Sequence, residues 1–350
     1  MSNKARQPKP MMFGKIDGKT LEVYQPTEST SREMVQFGAD NCFPQHLYEL
    51  YGESSLLQSL CNGTADYTAG NGTAEEIDGQ IYDLIRKVTL DYIIFGAFAI
   101  QVRRNTFGDI ISLDYIDVQR VRLNEAGDKV YYSQTWGKYT RNQRTYHRYY
   151  GDATAYDNAI FYYKSPLARG TYGLPMWSSA LREVQTLVEI SKFHLAGIAN
   201  GLHSPMIINF NNGVPTQEEK HEVEELITEK FCGADAAGRF VLAFNDSKEN
   251  GVEISAVPDD HYDTKYMTLK DNAVQALLTS FRASAQLFGV SSQSTGFSSI
   301  EYQQSFALFN TTVIQPLQRQ IERAFEQLGI TFHLLPFSVD FEPNTEETQI

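Results

Sequence analysis

The chain has 350 residues, 42% of them hydrophobic and 21% charged, and a formal net charge of −13. That length supports two or three cores, and that composition excludes whole-chain disorder. The acidic balance excludes a protein that grips nucleic-acid phosphates over a broad basic surface.

Residues 1–35 are rich in Lys, Pro, Ser and Thr without apolar periodicity, so a flexible arm is expected there. Residues 1–10 lack the apolar core of a signal peptide, and the most apolar run, 93–100, is too short to span a bilayer. No membrane association is expected. Cys42, Cys61 and Cys232 fall in no CxxC spacing, which argues against a disulfide scaffold or a zinc site and fits a reducing compartment.

From residue 40 to 67 the pattern is helical. Leu47, Leu50, Tyr51, Leu56, Leu57 and Leu60 form one stripe, broken at Gly70-Asn71-Gly72. A second helix is expected over 75–92. Strand patterning follows at 95–103, 110–116, 118–123, 129–134, 146–150 and 159–164, with turns such as Glu125-Ala126-Gly127-Asp128 between them. Residues 36–170 therefore read as an α+β unit on a mainly antiparallel sheet.

Pro175 suits the first position of a helix over 176–200, about 37 Å long, with Leu181, Val184, Leu187, Val188, Phe193, Leu195 and Ile198 on one stripe. Gly201 ends it. A compact β-α-β-β insert follows. Its strands are 206–210, 240–244 and 252–257, and Thr216 with Glu219 makes a capping box for a helix to 231. The last two strands are joined by Asn245-Asp246-Ser247-Lys248-Glu249-Asn250-Gly251, whose final pair is a hairpin signal. A long helix over 260–288 then returns, giving a stalk with a head. After Leu287-Phe288-Gly289-Val290 comes a polar break, Ser291-Ser292-Gln293-Ser294-Thr295-Gly296-Phe297-Ser298-Ser299, and a helix running to Leu328. Pro316 lies inside that helix and must kink it at the preceding turn. Residues 332–341 read as a terminal strand.

No reaction signature accompanies this architecture. Phosphate-loop, nucleophile-elbow and HExxH motifs are absent. Gly170-Thr171-Tyr172-Gly173 is too short for a nucleotide cradle and reads as a turn. Asp259-Asp260-His261 with Asp263 could be offered as metal ligands, but acidic residues at a helix start cap it and suit its dipole. His194 and His203 bracket a helix end. Glu218, Glu219, Glu222, Glu224, Glu225 and Glu229 read as a solvated helix face, the alternative being a docking surface for a basic partner. No catalytic, cofactor-binding or metal-binding residue is expected.

Tyr172-Gly173-Leu174-Pro175 followed by Trp177-Ser178-Ser179-Ala180-Leu181 resembles the entry to the first long helix of tailed-bacteriophage portal proteins. Phe288-Gly289-Val290, the Ser/Gly-rich loop, then Phe306 with Ile314-Gln315-Pro316-Leu317 and Ile321-Glu322, is similar to that family's tunnel region. The resemblance covers about residues 36–330 and rests on the order of short motifs. It implies an arm (1–35), a wing (36–175), stem helices (176–200 and 260–290), a clip (201–259), a tunnel loop (291–299), and a wing helix with C-terminal segment (300–350), the crown being minimal or absent.

The function it implies is a ring, of twelve subunits in that family, at one capsid vertex. Double-stranded DNA is packaged and ejected through it. Its partners would be other copies of itself, weakly held DNA, the terminase large subunit, the major capsid or scaffolding protein, and a head–tail adaptor. The virion would be its location, after assembly in the host bacterial cytoplasm. Net negative charge suits a channel that must let a polyanion slide.

On this reading Ser291, Ser292, Gln293, Ser294, Thr295, Gly296, Phe297 and Ser298 lie nearest the DNA, because small hydroxyls do not repel phosphate. Phe297 either anchors the loop or narrows the channel. Lys265, Lys270 and Arg282 are candidates for basic rings, the alternative being ion pairs with Asp or Glu across subunits. Asn245, Asp246, Ser247, Lys248, Glu249 and Asn250 form the clip tip that would dock motor and adaptor. Two other function classes stay open: another oligomeric virion protein such as a tail adaptor, or an enzyme acting on nucleic acid through scattered carboxylates. Particle mass and shape would separate them.

Overall fold

A computed structural model describes residues 24–31, 33–137, 140, 142–151, 157–166, 168–199, 206–210, 240–244, 262–290 and 299–338. The described chain opens with a hairpin, β1 (Glu28–Ser31) and β2 (Met34–Phe37), pairing Glu28 with Phe37. Residues 28–31 and 33–35, expected to fall within a flexible arm, therefore belong to a paired hairpin, and residues 1–23 of that expected arm lie outside the described residues. Long-range contacts hold this polar hairpin. Phe37 stacks on Tyr172 at 4.5 Å between ring centroids, and the Glu28 carboxylate accepts the backbone N–H groups of Thr171 and Tyr172 at 2.9 and 3.0 Å. The Gly-rich turn at 170–173 thus spends its free N–H donors on the chain's own glutamate.

The helical stretch expected from 40 to 67 is two helices, α1 (Phe43–Glu53) and α2 (Ser55–Ala69). Ser54 separates them in an extended conformation, and its hydroxyl accepts the Leu57 N–H at 3.3 Å, capping α2. α3 (Gly79–Phe95) starts on an Asp78 cap and stops at Gly96, which sits at φ 72°. Leu47, Leu50, Leu57, Leu60, Ile85 and Val88 are buried and form the helical side of the core.

The sheet contains β3 (Ala97–Arg104), β4 (Ile110–Ile116), β5 (Val121–Leu123), β6 (Lys129–Tyr132), β7 (Arg144–Arg148) and β8 (Asn158–Lys164). Their order is β4-β3-β8-β7-β6-β5. The pairings are antiparallel except β7 with β8. The first turn of the expected strand 118–123 is a 3-10 turn, Val118–Arg120.

Arg122 is fully buried at the join between sheet and α1. Its Nε donates to Asn41 Oδ1 (2.7 Å), Nη2 to Asn41 O (2.6 Å) and Gln45 Oε1 (3.2 Å), and Nη1 to Val121 O (2.7 Å) and Gln119 O (3.1 Å). The guanidinium lies 5.1 Å from the Trp136 ring. These acceptors are neutral, and burial lowers the Arg122 pKa to about 10.

Pro175 does not open the next helix. Residues 175–180 form a turn and a 3-10 segment that bury Trp177 completely, its indole N–H donating to Ile93 O at 3.1 Å. α4 (Leu181–Ala199) follows and packs on α5 (Tyr262–Phe281). The halves of both helices next to the sheet unit are buried, through Val184 and Val188 on α4 and Leu277, Leu278 and Phe281 on α5. The distal halves expose Phe193, Leu195, Met267 and Leu269.

α5 stops at Phe281 rather than 288. The Arg282 N–H bonds Thr279 O at 3.0 Å and the Ala283 N–H bonds Leu278 O at 2.9 Å, with Arg282 at φ 53°. This is a Schellman ending with arginine where glycine is usual. Leu287 and Phe288 belong to a separate 3-10 turn, Ala285–Phe288, closed at Gly289.

In the insert, β9 (Met206–Phe210) and β10 (Phe240–Phe244) match the expected strands. They pair in parallel, which requires a crossover between them, as the β-α-β order expects. The expected helix to 231, the strand 252–257 and the Asn245-to-Asn250 hairpin loop lie outside the described residues.

α6 (Ser299–Phe309) runs into a π-helical turn, Asn310–Ile314, and then α7 (Gln315–Glu326). Pro316 cannot donate to Thr312 O and its ring presses on that carbonyl, so the ladder widens by one residue just before it. The terminal strand expected over 332–341 is a single bridge, Leu334 with Thr73, with Phe332 and Leu334 buried. Residues 339–341 lie outside the described residues.

Candidate functional site

Ser291 to Ser298, the residues expected nearest DNA, lie outside the described residues. Their frame is described. The stretch of chain entering the segment is pinned by Leu287 and Phe288, and the stretch leaving it by Tyr302, Phe306 and Phe309 on α6. All converge on Tyr67 of α2. Its ring lies 6.3 Å from Phe288, 5.9 Å from Phe306, 6.0 Å from Phe309 and 5.9 Å from Phe337, with mostly edge-on or tilted geometry. Burial and the neighbouring Tyr302 hydroxyl raise the Tyr67 pKa, so its own hydroxyl stays neutral at physiological pH. Gly63, one turn earlier on α2, leaves room for the Phe288 ring; a Cβ there would sit 2.7 Å from Phe288 Cε1.

The three candidate basic residues do not form one set. Lys265 and Lys270 lie on α5, five residues apart. Lys270 is exposed on the rim of a cleft of about 270 Å³, beside Glu53, Leu187 and His194. Arg282 lies beyond the helix end, on a different cleft of about 540 Å³ between the sheet unit and α7. Neither Lys270 nor Arg282 has an ion-pair partner among the described residues.

Asn245, Asp246, Ser247, Lys248, Glu249 and Asn250 lie outside the described residues, as do Asp259, Asp260, His261 and the glutamates 218–229. Among the described residues no group of His, Cys, Asp or Glu is arranged to hold a metal ion, and no helix is long and apolar enough to cross a membrane. Two important residues were missed in the sequence. Tyr67 falls at the end of a helical stripe, and its convergence partners are over two hundred positions away. Arg122 sits in a strand whose pattern marks it as surface.

The phage portal protein family model matches residues 78–349. The chain belongs to the phage portal protein family. It is 25% identical over 240 residues to the portal protein of Enterobacteria phage HK97, covering 69% of this chain and 52% of that one. It is 21% identical over 333 residues to the probable portal protein of Haemophilus phage HP1, covering 91% and 92%. Among solved structures it is similar to a chain in the neck of a native gene transfer agent particle computed with C12 symmetry, at 16% identity, 84% coverage of each chain and a TM-score of 0.48. The portal-family chain spans about half the length of the HK97 relative.

Proposed function

We propose that this chain is the subunit of a portal: a ring of twelve copies at one vertex of a phage or prophage capsid, through which double-stranded DNA is packaged and later ejected. The family match carries this reading. The surface supports it. Phe193 is 55% exposed and Leu195 68% on distal α4, Met267 56% and Leu269 50% on distal α5, and Ile300 63% and Leu308 66% on α6. An isolated soluble chain does not keep so many large apolar side chains on consecutive helices in water, whereas ring closure covers them.

In this ring, residues 291–298 face the duplex, held by the aromatic frame on Tyr67. Grip on DNA is weak, because the subunit is acidic and phosphate contacts supply most equilibrium affinity. The tip at 245–250 docks the terminase large subunit during packaging and the head–tail adaptor afterwards, and the sheet unit meets the major capsid or scaffolding protein. The ring performs no chemistry of its own in this account. A packaging assay tests it: replacing residues 291–299 by a shorter Gly/Ser linker should leave rings intact and reduce packaged or retained DNA. Unchanged packaging and retention would remove the loop from the DNA path.

A further inference from the structure

We infer that the cleft between the sheet unit and α7 is a receptor for this chain's own segment Asp340-Phe341-Glu342, seated in the same subunit. The cleft holds about 540 Å³ and is walled mainly by apolar side chains, among them Ile93, Leu174, Met176, Val313, Pro316 and Leu317. Its Tyr92 hydroxyl is already satisfied by Gln320. Two arginines, Arg169 and Arg282, stand on its lining, both exposed, and neither has an ion-pair partner among the described residues. No Asp or Glu joins the described lining. An apolar groove edged by two cations with no ion-pair partner among the described residues selects an apolar side chain flanked by carboxylates.

The backbone at Arg282 strengthens this. It occupies the left-handed position of a Schellman ending at φ 53°, where glycine fits without strain. An arginine kept there against that strain points to work done by its side chain.

The occupant follows from charge and reach. Residues 339–350 contain Asp340, Glu342, Glu346 and Glu347 and no Lys or Arg. In an extended chain Phe341 points one way and Asp340 and Glu342 the other, so the ring can enter while the carboxylates stay with the arginines. A chain of contacts leads from Phe337 toward the cleft. Phe337 packs on Tyr67, Tyr67 packs on Phe309, and Phe309 lies one helical turn before Val313 in the cleft wall. Phe341 is four residues beyond Phe337, a span of up to about 14 Å. The rival apolar segment, Met11-Met12-Phe13, sits among Lys4, Arg6, Lys9, Lys15 and Lys19, and both arginines would repel it.

The test places a photoreactive benzoylphenylalanine at position 341 of the full chain, in a mixture of light and heavy isotope-labelled protein. Crosslinks are mapped by mass spectrometry. Crosslinks to Ile93, Met176, Val313 or Leu317 within one chain are expected, well above those from the same group at Phe107, which is 90% exposed. Arg169→Glu with Arg282→Gly should cut the yield several-fold. The glycine relieves backbone strain at that position, so this loss cannot be blamed on misfolding there. Asp340→Lys with Glu342→Lys should restore the yield in an Arg169→Glu, Arg282→Glu background. Crosslinks elsewhere, crosslinks between light and heavy chains, labelling of the same walls from position 13 instead, or a yield indifferent to both arginines would each overturn the assignment.

Discussion

Two helical glycines should respond with opposite sign to one substitution. Glycine in a helix interior costs roughly 0.5–1 kcal/mol relative to alanine. At Gly52, exposed near the end of α1, an added methyl group would meet nothing within 4 Å, so that gain stands alone. At Gly63 the new Cβ meets Phe288 Cε1 at 2.7 Å and Cδ1 at 3.3 Å. The ring cannot step aside freely, because Tyr67 and Phe309 stand edge-on to it at 6.3 and 5.8 Å. Overpacking of this kind costs about 1–3 kcal/mol, which exceeds the helix gain. Gly52→Ala should therefore raise stability by up to about 1 kcal/mol, and Gly63→Ala should lower it by up to about 2 kcal/mol. Urea unfolding midpoints at matched protein concentration measure both. Phe288→Leu should turn Gly63→Ala from harmful to neutral or helpful. If Gly63→Ala raises the midpoint as much as Gly52→Ala does, Phe288 does not rest on α2 and the frame beneath residues 291–298 is wrong.

Three further outcomes follow from other sites. Arg122→Lys keeps the charge but loses the planar fork that serves five acceptor contacts, and should destabilise in chemical denaturation by about 1–3 kcal/mol for each buried acceptor left unserved. Asp91 is buried and accepts the Tyr115 hydroxyl at 2.9 and 3.1 Å, and burial holds its carboxyl well above the ordinary carboxylate range. The native state therefore keeps a proton that the unfolded state releases, so stability falls as pH rises above about 4 until the native carboxyl itself ionises. Asp91→Asn should remove that slope and raise the melting temperature at neutral pH; an unchanged slope would show that Asp91 ionises freely in the fold. Tyr67→Ala removes the shared footing of both loop ends. It should cost about 2 kcal/mol, given a half-buried ring, and speed proteolytic cutting between 291 and 298.

Strands carried a local signature, and helix ends did not. β3, β4, β8 and the isolated pair β9 and β10 alternate or run apolar with β-branched and aromatic residues, and the structure places them within a residue or two of the expected bounds. The break at Ser54 was hidden because apolar spacing continues through Leu56, Leu57 and Leu60 on the far side. The end of α5 was hidden because Leu287 and Phe288 continue the stripe and the chain reverses at an arginine instead of a glycine. Pro316 announced a disturbance in the preceding turn, but the spacing did not say that it would take the form of a π-helical turn over Asn310–Ile314. The hairpin at 28–37 was invisible because its partners, Thr171 and Tyr172, are more than 130 residues away. For the site, composition singled out the polar segment 291–299, while the aromatic frame that carries it is built from positions that only tertiary packing brings together.

The most direct test of the central claim is imaging of this protein in particles assembled in its host. The account predicts a closed ring at a single vertex, with the exposed apolar faces of α4 and α5 covered by neighbouring subunits and residues 291–298 nearest the open axis. A chain distributed over the shell, a form without a central opening, or a ring whose axis is lined by other residues while 291–298 lie at its outer surface would contradict it.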